Sequence, residues 1–320
     1  MRKLILILLV LCTSFTRVNA ITLNNDETYT TAKGVTISKE DYELLITKFP
    51  WRIIDRFNEE TITSLLNGTA KIDNKEIYTI TTDTIDKNGN IINSVTIPAT
   101  ESEALSVISN PNIRVIENGE LYDFSNECAS TYTIHQNEHA TSSKKVSLSY
   151  ISPENSDYYE IVITAEWLKE PTIKQYDVLA VRWNNSLPLS NVKEYIAFQE
   201  AYNSSKEEIG YQEYELDGEN MKRTTYGIGQ SMNLFNNGKL YKLAMHIEIE
   251  EPVNGNVYGT YQHARHSNAN TLAISQSYTF SNNGLGNVLY YSNSTYRGYY
   301  DNMDGVKAYL GDNYSINLWG

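Results

Sequence analysis

From Lys239 to Glu250 the chain alternates. Tyr241, Leu243, Met245, Ile247 and Ile249 take every second position, and Lys242, His246, Glu248 and Glu250 fall between them, with Leu240 and Ala244 breaking the pattern. Period two over this length predicts a β-strand with one buried and one wet face. Residues Tyr159 to Trp167 repeat it. Tyr159, Ile161, Ile163, Ala165 and Trp167 share one face, while Glu160, Thr164 and Glu166 lie on the other and Val162 is the exception. Tyr176 to Trp183 is shorter and more fully apolar, and Thr271 to Phe280 alternates more loosely.

Turn chemistry separates these runs. Six of the 17 glycines directly follow an asparagine, at Gly68, Gly89, Gly119, Gly238, Gly255 and Gly284. Asn-Gly tolerates positive φ at both central residues of a type I′ turn, and between alternating runs it signals a hairpin. Ile77 to Ile85 with Ile91 to Ile97, and Arg114 to Ile116 with Leu121 to Phe124, form two such pairs. The pattern predicts a mainly β fold, an antiparallel β-sandwich or meander.

One stretch departs from it. Ser38 is an N-cap with Asp41 three residues on, and Tyr42, Leu45 and Ile46 share a helical face before Pro50 ends the helix. A second short helix is expected from about Asn58, with Glu59 and Glu60 in its first turn and Ile62, Leu65 and Leu66 as its apolar side. Asn67-Gly68 closes that helix as a C-cap rather than making a hairpin. Residues 37–68 therefore read as a helical hairpin behind an extended leader, 21–36, and residues 69–320 as a β-rich region. A break between two β units is expected near 184–210, where Asn184, Asn185, Ser186, Pro188 and Ser190 cluster and Asn191 to Tyr202 could form a short helix.

The first 20 residues add a location. Arg2 and Lys3 precede the apolar run Leu4 to Cys12, and Val18-Asn19-Ala20 is a small-residue cleavage site, so a secretory signal peptide is expected. The run is too short to span a bilayer, and no later segment is apolar enough to do so. Leu11 stands where a lipid-attachment box wants a small residue before its cysteine, so secretion is expected rather than anchoring. Cleavage removes three basic residues and no acid, which makes the secreted chain more acidic than the full-length charge of −13. Such a chain repels nucleic acid and anionic membrane. Cleavage also removes one of two cysteines and leaves Cys128 without an internal disulfide partner.

The run Ile37-Ser38-Lys39-Glu40-Asp41-Tyr42-Glu43-Leu44-Leu45, a second short helix and then an Asn- and Tyr-rich β region resemble uncharacterised secreted proteins of low-GC Gram-positive bacteria. The resemblance implies export and this order of elements. It brings no activity and no site residues.

Candidate chemistry is sparse. Asp86-Lys87-Asn88-Gly89-Asn90 alternates oxygen ligands as a calcium loop does, but the twelfth position is Ile97 rather than a bidentate Glu, so a plain turn is expected. His135 and His139 lack helical periodicity around them, and His263 and His266 would face opposite sides of a strand. No metal, no cofactor and no catalytic cysteine are expected. Glu160 with Glu166, Glu213 with Glu215 and Glu248 with Glu250 are paired carboxylates, which glycoside hydrolysis needs about 5 to 9.5 Å apart across a cleft. The 39 acids of the chain produce such pairs by composition alone. Gly227-Ile228-Gly229 lacks the rest of a nucleotide loop.

Tyrosine stands out at 25 residues. Tyr258, Tyr261, Tyr290, Tyr291, Tyr296, Tyr299 and Tyr300 crowd the C-terminal fifth, and Tyr290 and Tyr291 cannot share one side of a strand. Exposed rings would suit stacking on sugars or an interface. The function expected is that of a secreted, non-enzymatic β-sandwich protein that binds an extracellular glycan or protein. The alternative is a secreted polysaccharide hydrolase using a pair of carboxylates.

Overall fold

Ser38 caps its helix as the spacing to Asp41 predicts: its Oγ accepts the Asp41 N–H at 3.1 Å and donates to Asp41 Oδ2 at 2.7 Å. The structure, a computed structural model, describes residues 22–23, 27–85, 91–109, 114–117, 120–123, 139–218, 220–250, 252–253, 255–264, 278–280, 289–291 and 304–310. The chain divides into two compact units, Met1–Leu66 and Asn67–Gly320. The expected signal peptide, Cys128 and His135 lie outside the described residues.

In the first unit the leader is more ordered than expected. Strands β1 (Thr22–Leu23), β2 (Thr28–Thr30) and β3 (Thr36–Ser38) form a small sheet in that order. Helix α1 spans Lys39–Leu45, and the chain turns again in α2 (Trp51–Ile54) before α3 (Glu59–Leu66). Asn58 Oδ1 accepts the Thr61 N–H at 2.7 Å and so starts α3. Gly68 follows α3 at φ +68°, the left-handed conformation expected of the residue after a helix end. Leu45, Ile53, Ile54, Phe57, Ile62 and Leu65 are each no more than 1% exposed. Full burial of such side chains stabilises by roughly 1.5–3 kcal/mol each.

The second unit holds β4 (Lys71–Ile85), β5 (Ile91–Ala99), α4 (Glu101–Ser109), β6 (Arg114–Glu117), β7 (Glu120–Asp123), β8 (His139–Ser152), β9 (Tyr159–Lys169), β10 (Tyr176–Trp183), β11 (Val192–Tyr202), β12 (Glu208–Tyr214), β13 (Met221–Thr224), β14 (Gly227–Asn233), β15 (Leu240–Ile249), β16 (Asn256–Gln262), β17 (Tyr278–Phe280), β18 (Leu289–Tyr291) and β19 (Asp304–Tyr309). A seven-stranded sheet runs β12-β11-β15-β9-β8-β4-β5 and a five-stranded sheet β13-β14-β10-β16-β19, while β6-β7 and β17-β18 are separate hairpins. The pairings are antiparallel. The apolar sets read on β9 and β15 pack with Leu179, Val181 and Trp183 of β10, Ile228 and Met232 of β14, and Val257 and Tyr261 of β16 into one core. The fold is a β-sandwich. Gly259 marks its tightest approach: a Cβ there would sit 2.7 Å from Ile163 Cδ1 and 3.2 Å from Leu148 Cδ1 on the facing sheet.

Three expectations change. Asn191 to Tyr202 is not a helix: a single 3₁₀ turn, Leu189–Asn191, leads into β11, an interior strand of the seven-stranded sheet. Both faces of β11 are buried from Tyr195 to Ala201, and a strand covered on both sides has no period-two pattern to read. The break expected near 184–210 therefore does not interrupt the β region. Two Asn-Gly turns are arches rather than hairpins. Asn237-Gly238 joins β14 to β15 and Asn254-Gly255 joins β15 to β16, each pair lying in opposite sheets. Gly255 adopts φ +101°, which the turn chemistry foresaw, but the destination of the next strand was not local information. Finally, the face of β9, β11 and β15 turned away from the core is buried over most of its length. Val162, Ile196, Phe198 and Ala244 on that face are 3%, 2%, 0% and 0% exposed, and Glu160 and His246 are 0%.

Candidate functional site

Of the seven tyrosines singled out, two have described side chains, and both are buried: Tyr258 is 8% exposed and Tyr261 0%. Tyr261 is a core residue. Its hydroxyl donates to Asp177 Oδ2 and accepts the Trp167 indole N–H at 2.8 Å. Asp177 also takes the Ala264 N–H at 3.0 Å and lies 2.9 Å from His263 Nδ1. Lys144, 1% exposed, sets its ammonium 5.1 and 5.2 Å from the Trp167 and Tyr261 ring centroids. This buried polar cluster occupies the Tyr261 hydroxyl. Tyr258 packs its ring 5.3 Å from the Arg182 guanidinium. Tyr290 and Tyr291 pair with Thr279 and Tyr278 in the β17–β18 hairpin. Tyr296, Tyr299 and Tyr300 lie outside the described residues.

The carboxylate pairs are dispersed. Glu160 and Glu248 lie directly opposite on β9 and β15, but they are 0% and 6% exposed. Glu160 Oε2 sits 2.6 Å from His246 Nε2. Glu250 is ion-paired with Lys193 at 2.6 Å, and Glu213 accepts the Tyr211 hydroxyl at 2.6 Å. Among the described residues no group of three or more His, Cys, Asp or Glu is arranged to hold a metal. Gly227 and Gly229 lie within β14.

The feature that does gather functional groups was not foreseen. At one end of β9, β11 and β15 opens a groove of about 680 Å³. Leu105 of α4, Leu168 of β9 and Leu240 of β15 supply apolar surface, and Leu105 is 43% exposed. Four lysines line it, Lys169, Lys206, Lys239 and Lys242, against two carboxylates, Glu166 and Glu170. That balance is opposite to the chain's, which has 26 basic and 39 acidic residues. Lys242 stands opposite Glu166 in the sheet register and pairs with it at 3.0 Å. Lys239 and Lys174 converge on Glu170 at 3.0 and 2.6 Å. Burial alone would raise the Glu170 carboxyl, but these two ammonium groups outweigh it and hold it below the ordinary carboxylate range. Burial holds Lys169 below the ordinary lysine range. Among the described residues neither Lys169 nor Lys206 has a carboxylate partner. Trp167 and Tyr241 lie beneath, 2% and 1% exposed. Tyr202, half-buried, donates its hydroxyl to Glu200 at 2.5 Å.

One signal for this groove was in the sequence. Thr100-Glu101-Ser102-Glu103 is a capping box: the Glu103 carboxylate accepts the Thr100 N–H at 2.7 Å, and Thr100 Oγ1 accepts the Glu103 N–H at 3.3 Å. It starts α4, which carries Leu105. The lysines come from strand ends and two turns, and no spacing relates them.

Fold and groove together define a two-sheet antiparallel β-sandwich with a basic, apolar-floored cleft on an acidic chain. No family model matches it, and neither does a curated protein. Three solved structures resemble parts of it. One is tailspike protein 4 of bacteriophage CBA120, TM-score 0.21 at 8% identity over 32% of this chain and 13% of that one. Another is a lipoprotein described as putative from Bacteroides ovatus, TM-score 0.26 at 8% identity over 77% and 67% of the two chains. The third is described as BspA_C_WT, TM-score 0.21 at 6% identity over 60% and 86%. The match thus spans about an eighth of the tailspike chain. Likenesses this distant carry no argument about function.

Proposed function

We propose that this is a secreted binding protein, without hydrolytic activity, that recognises an extracellular macromolecule through the groove at the end of β9, β11 and β15. The observation that carries the reading is the excess of lysine over carboxylate in that groove on a chain of net charge −13. A cleft lined by one sign of charge focuses its field and draws in oppositely charged partners. The N-terminal Arg2, Lys3, the apolar run to Cys12 and Val18-Asn19-Ala20 support export.

The hydrolase reading fares worse at the same place. A glycosidase needs one carboxyl raised so that it can give up a proton to the leaving group. Glu170 is pushed the other way by Lys174 and Lys239, and Glu166 is held by Lys242. Glu170 is therefore set to stay ionised.

Two measurements on secreted protein test this. Its N-terminus is expected at Ile21, and a panel of neutral and acidic polysaccharides should show no release of reducing ends. Retention of Met1 would overturn export. Sugar release that disappears in Glu166→Gln or Glu170→Gln would overturn the binding reading in favour of hydrolysis.

A further inference from the structure

We propose that the groove takes an acidic, leucine-bearing peptide segment of a partner protein, so that the macromolecule recognised is a protein rather than a glycan. The inference rests on the binding reading above and narrows its ligand class.

The argument comes from what the lining offers. Three leucines, Leu105, Leu168 and Leu240, form apolar surface that only apolar groups can cover with gain. Sugars bind best on flat aromatic faces, and here the rings are withdrawn. Trp167 and Tyr241 are sealed in the core, and the half-buried Tyr202 has its hydroxyl on Glu200. A polyuronate would meet the lysines but leave the leucines uncovered. The apolar face of a neutral glycan would cover the leucines but leave the lysines without a charge partner. A peptide with alternating carboxylate and branched apolar side chains satisfies both.

The charge distribution within the groove agrees. Lys242 is paired with Glu166 and Lys239 shares Glu170 with Lys174, whereas Lys206 stands exposed on the β11–β12 turn and Lys169 is half-buried without a carboxylate partner among the described residues. A carboxylate brought to Lys169 supplies the charge that burial has left uncompensated. Lys169 and Lys206 are therefore the two positions that read the ligand's acids. Lys239 and Lys242 hold the groove's shape.

The test uses the full secreted chain and four fluorescein-labelled probes: a twelve-residue Leu/Glu peptide, a Ser/Glu peptide, a Leu/Lys peptide and oligogalacturonate, read by fluorescence anisotropy at low and high salt. The Leu/Glu peptide should bind with Kd below about 1 mM, more tightly than Ser/Glu, and weaken as salt screens the lysines. The Leu/Lys peptide should not bind. The double variant Lys169→Met with Lys206→Gln should bind about tenfold more weakly with an unchanged melting transition, and Lys169→Arg should restore most of the affinity. Ser/Glu binding as tightly as Leu/Glu would remove the leucine floor from the argument. Oligogalacturonate binding more tightly than Leu/Glu would overturn the peptide assignment while leaving the binding reading intact. Absence of Leu/Glu binding by folded wild type, or its persistence in the double variant, would overturn the proposal itself. Polysaccharide cleavage would instead sink the reading beneath it.

Discussion

Glu160 and His246 offer a sharp test of the fold, because an alternating strand read in isolation places both in water. Their side chains are 0% exposed and meet at 2.6 Å across β9 and β15. Val162 and Ile196 stand opposite His246 in register and are themselves 3% and 2% exposed. Replacing His246 with Leu leaves the buried Glu160 carboxyl without its nearest hydrogen-bond partner, at a cost of about 1–3 kcal/mol. Replacing Glu160 with Met takes an acceptor from a buried imidazole, at a cost of about 1–3 kcal/mol. The double variant removes both polar groups and fills the site with similar volume. It should cost at least about 1 kcal/mol less than the two single changes added together. Urea unfolding followed by tryptophan fluorescence measures this, since Trp167 and Trp183 lie in the same sandwich core. Ile247→Ala serves as a reference core deletion, expected to cost about 2–5 kcal/mol. If both polar variants cost under about 0.5 kcal/mol and add independently, that face is solvated and the burial described above is wrong.

Two further outcomes follow from the same geometry. Tyr261→Phe removes a hydroxyl that serves Asp177 and Trp167, and should cost about 2–4 kcal/mol in urea melts; an unchanged midpoint would reopen Tyr261 as a free surface ring. The Glu170 carboxyl is held below its unfolded value, so its contribution is present above the ordinary carboxylate range and lost as pH falls through the lowered native value. The stability difference between wild type and Glu170→Gln should therefore shrink on acidification, and a difference that grows would show that Lys174 and Lys239 do not hold the charge.

What could be read from the chain alone was local. Ser38 with Asp41, Asn58 before α3 and Gly68 after it fix helix ends through hydrogen bonds and φ values spanning at most four residues. The alternation of β9 and β15 correctly named their core-facing set, because side-chain direction along a strand is a property of the strand itself. Thr100 with Glu103 is a local signal of the same kind. The rest required partners distant in sequence. Whether His246 and Glu248 meet water depends on what covers the other face of the sheet, not on their own spacing. Asn254-Gly255 sets a backbone angle, but only the docked sheets decide that β16 crosses to the five-stranded layer. Tyr261 looked available for a ligand until Asp177 and Trp167, 84 and 94 residues away, claimed its hydroxyl. The lysine groove is the extreme case: Lys169, Lys206, Lys239 and Lys242 come from different elements, and only the antiparallel order β11-β15-β9 brings their strand ends together. Short-range sterics and hydrogen bonding determine the elements, but long-range packing determines which of their faces and ends share a site.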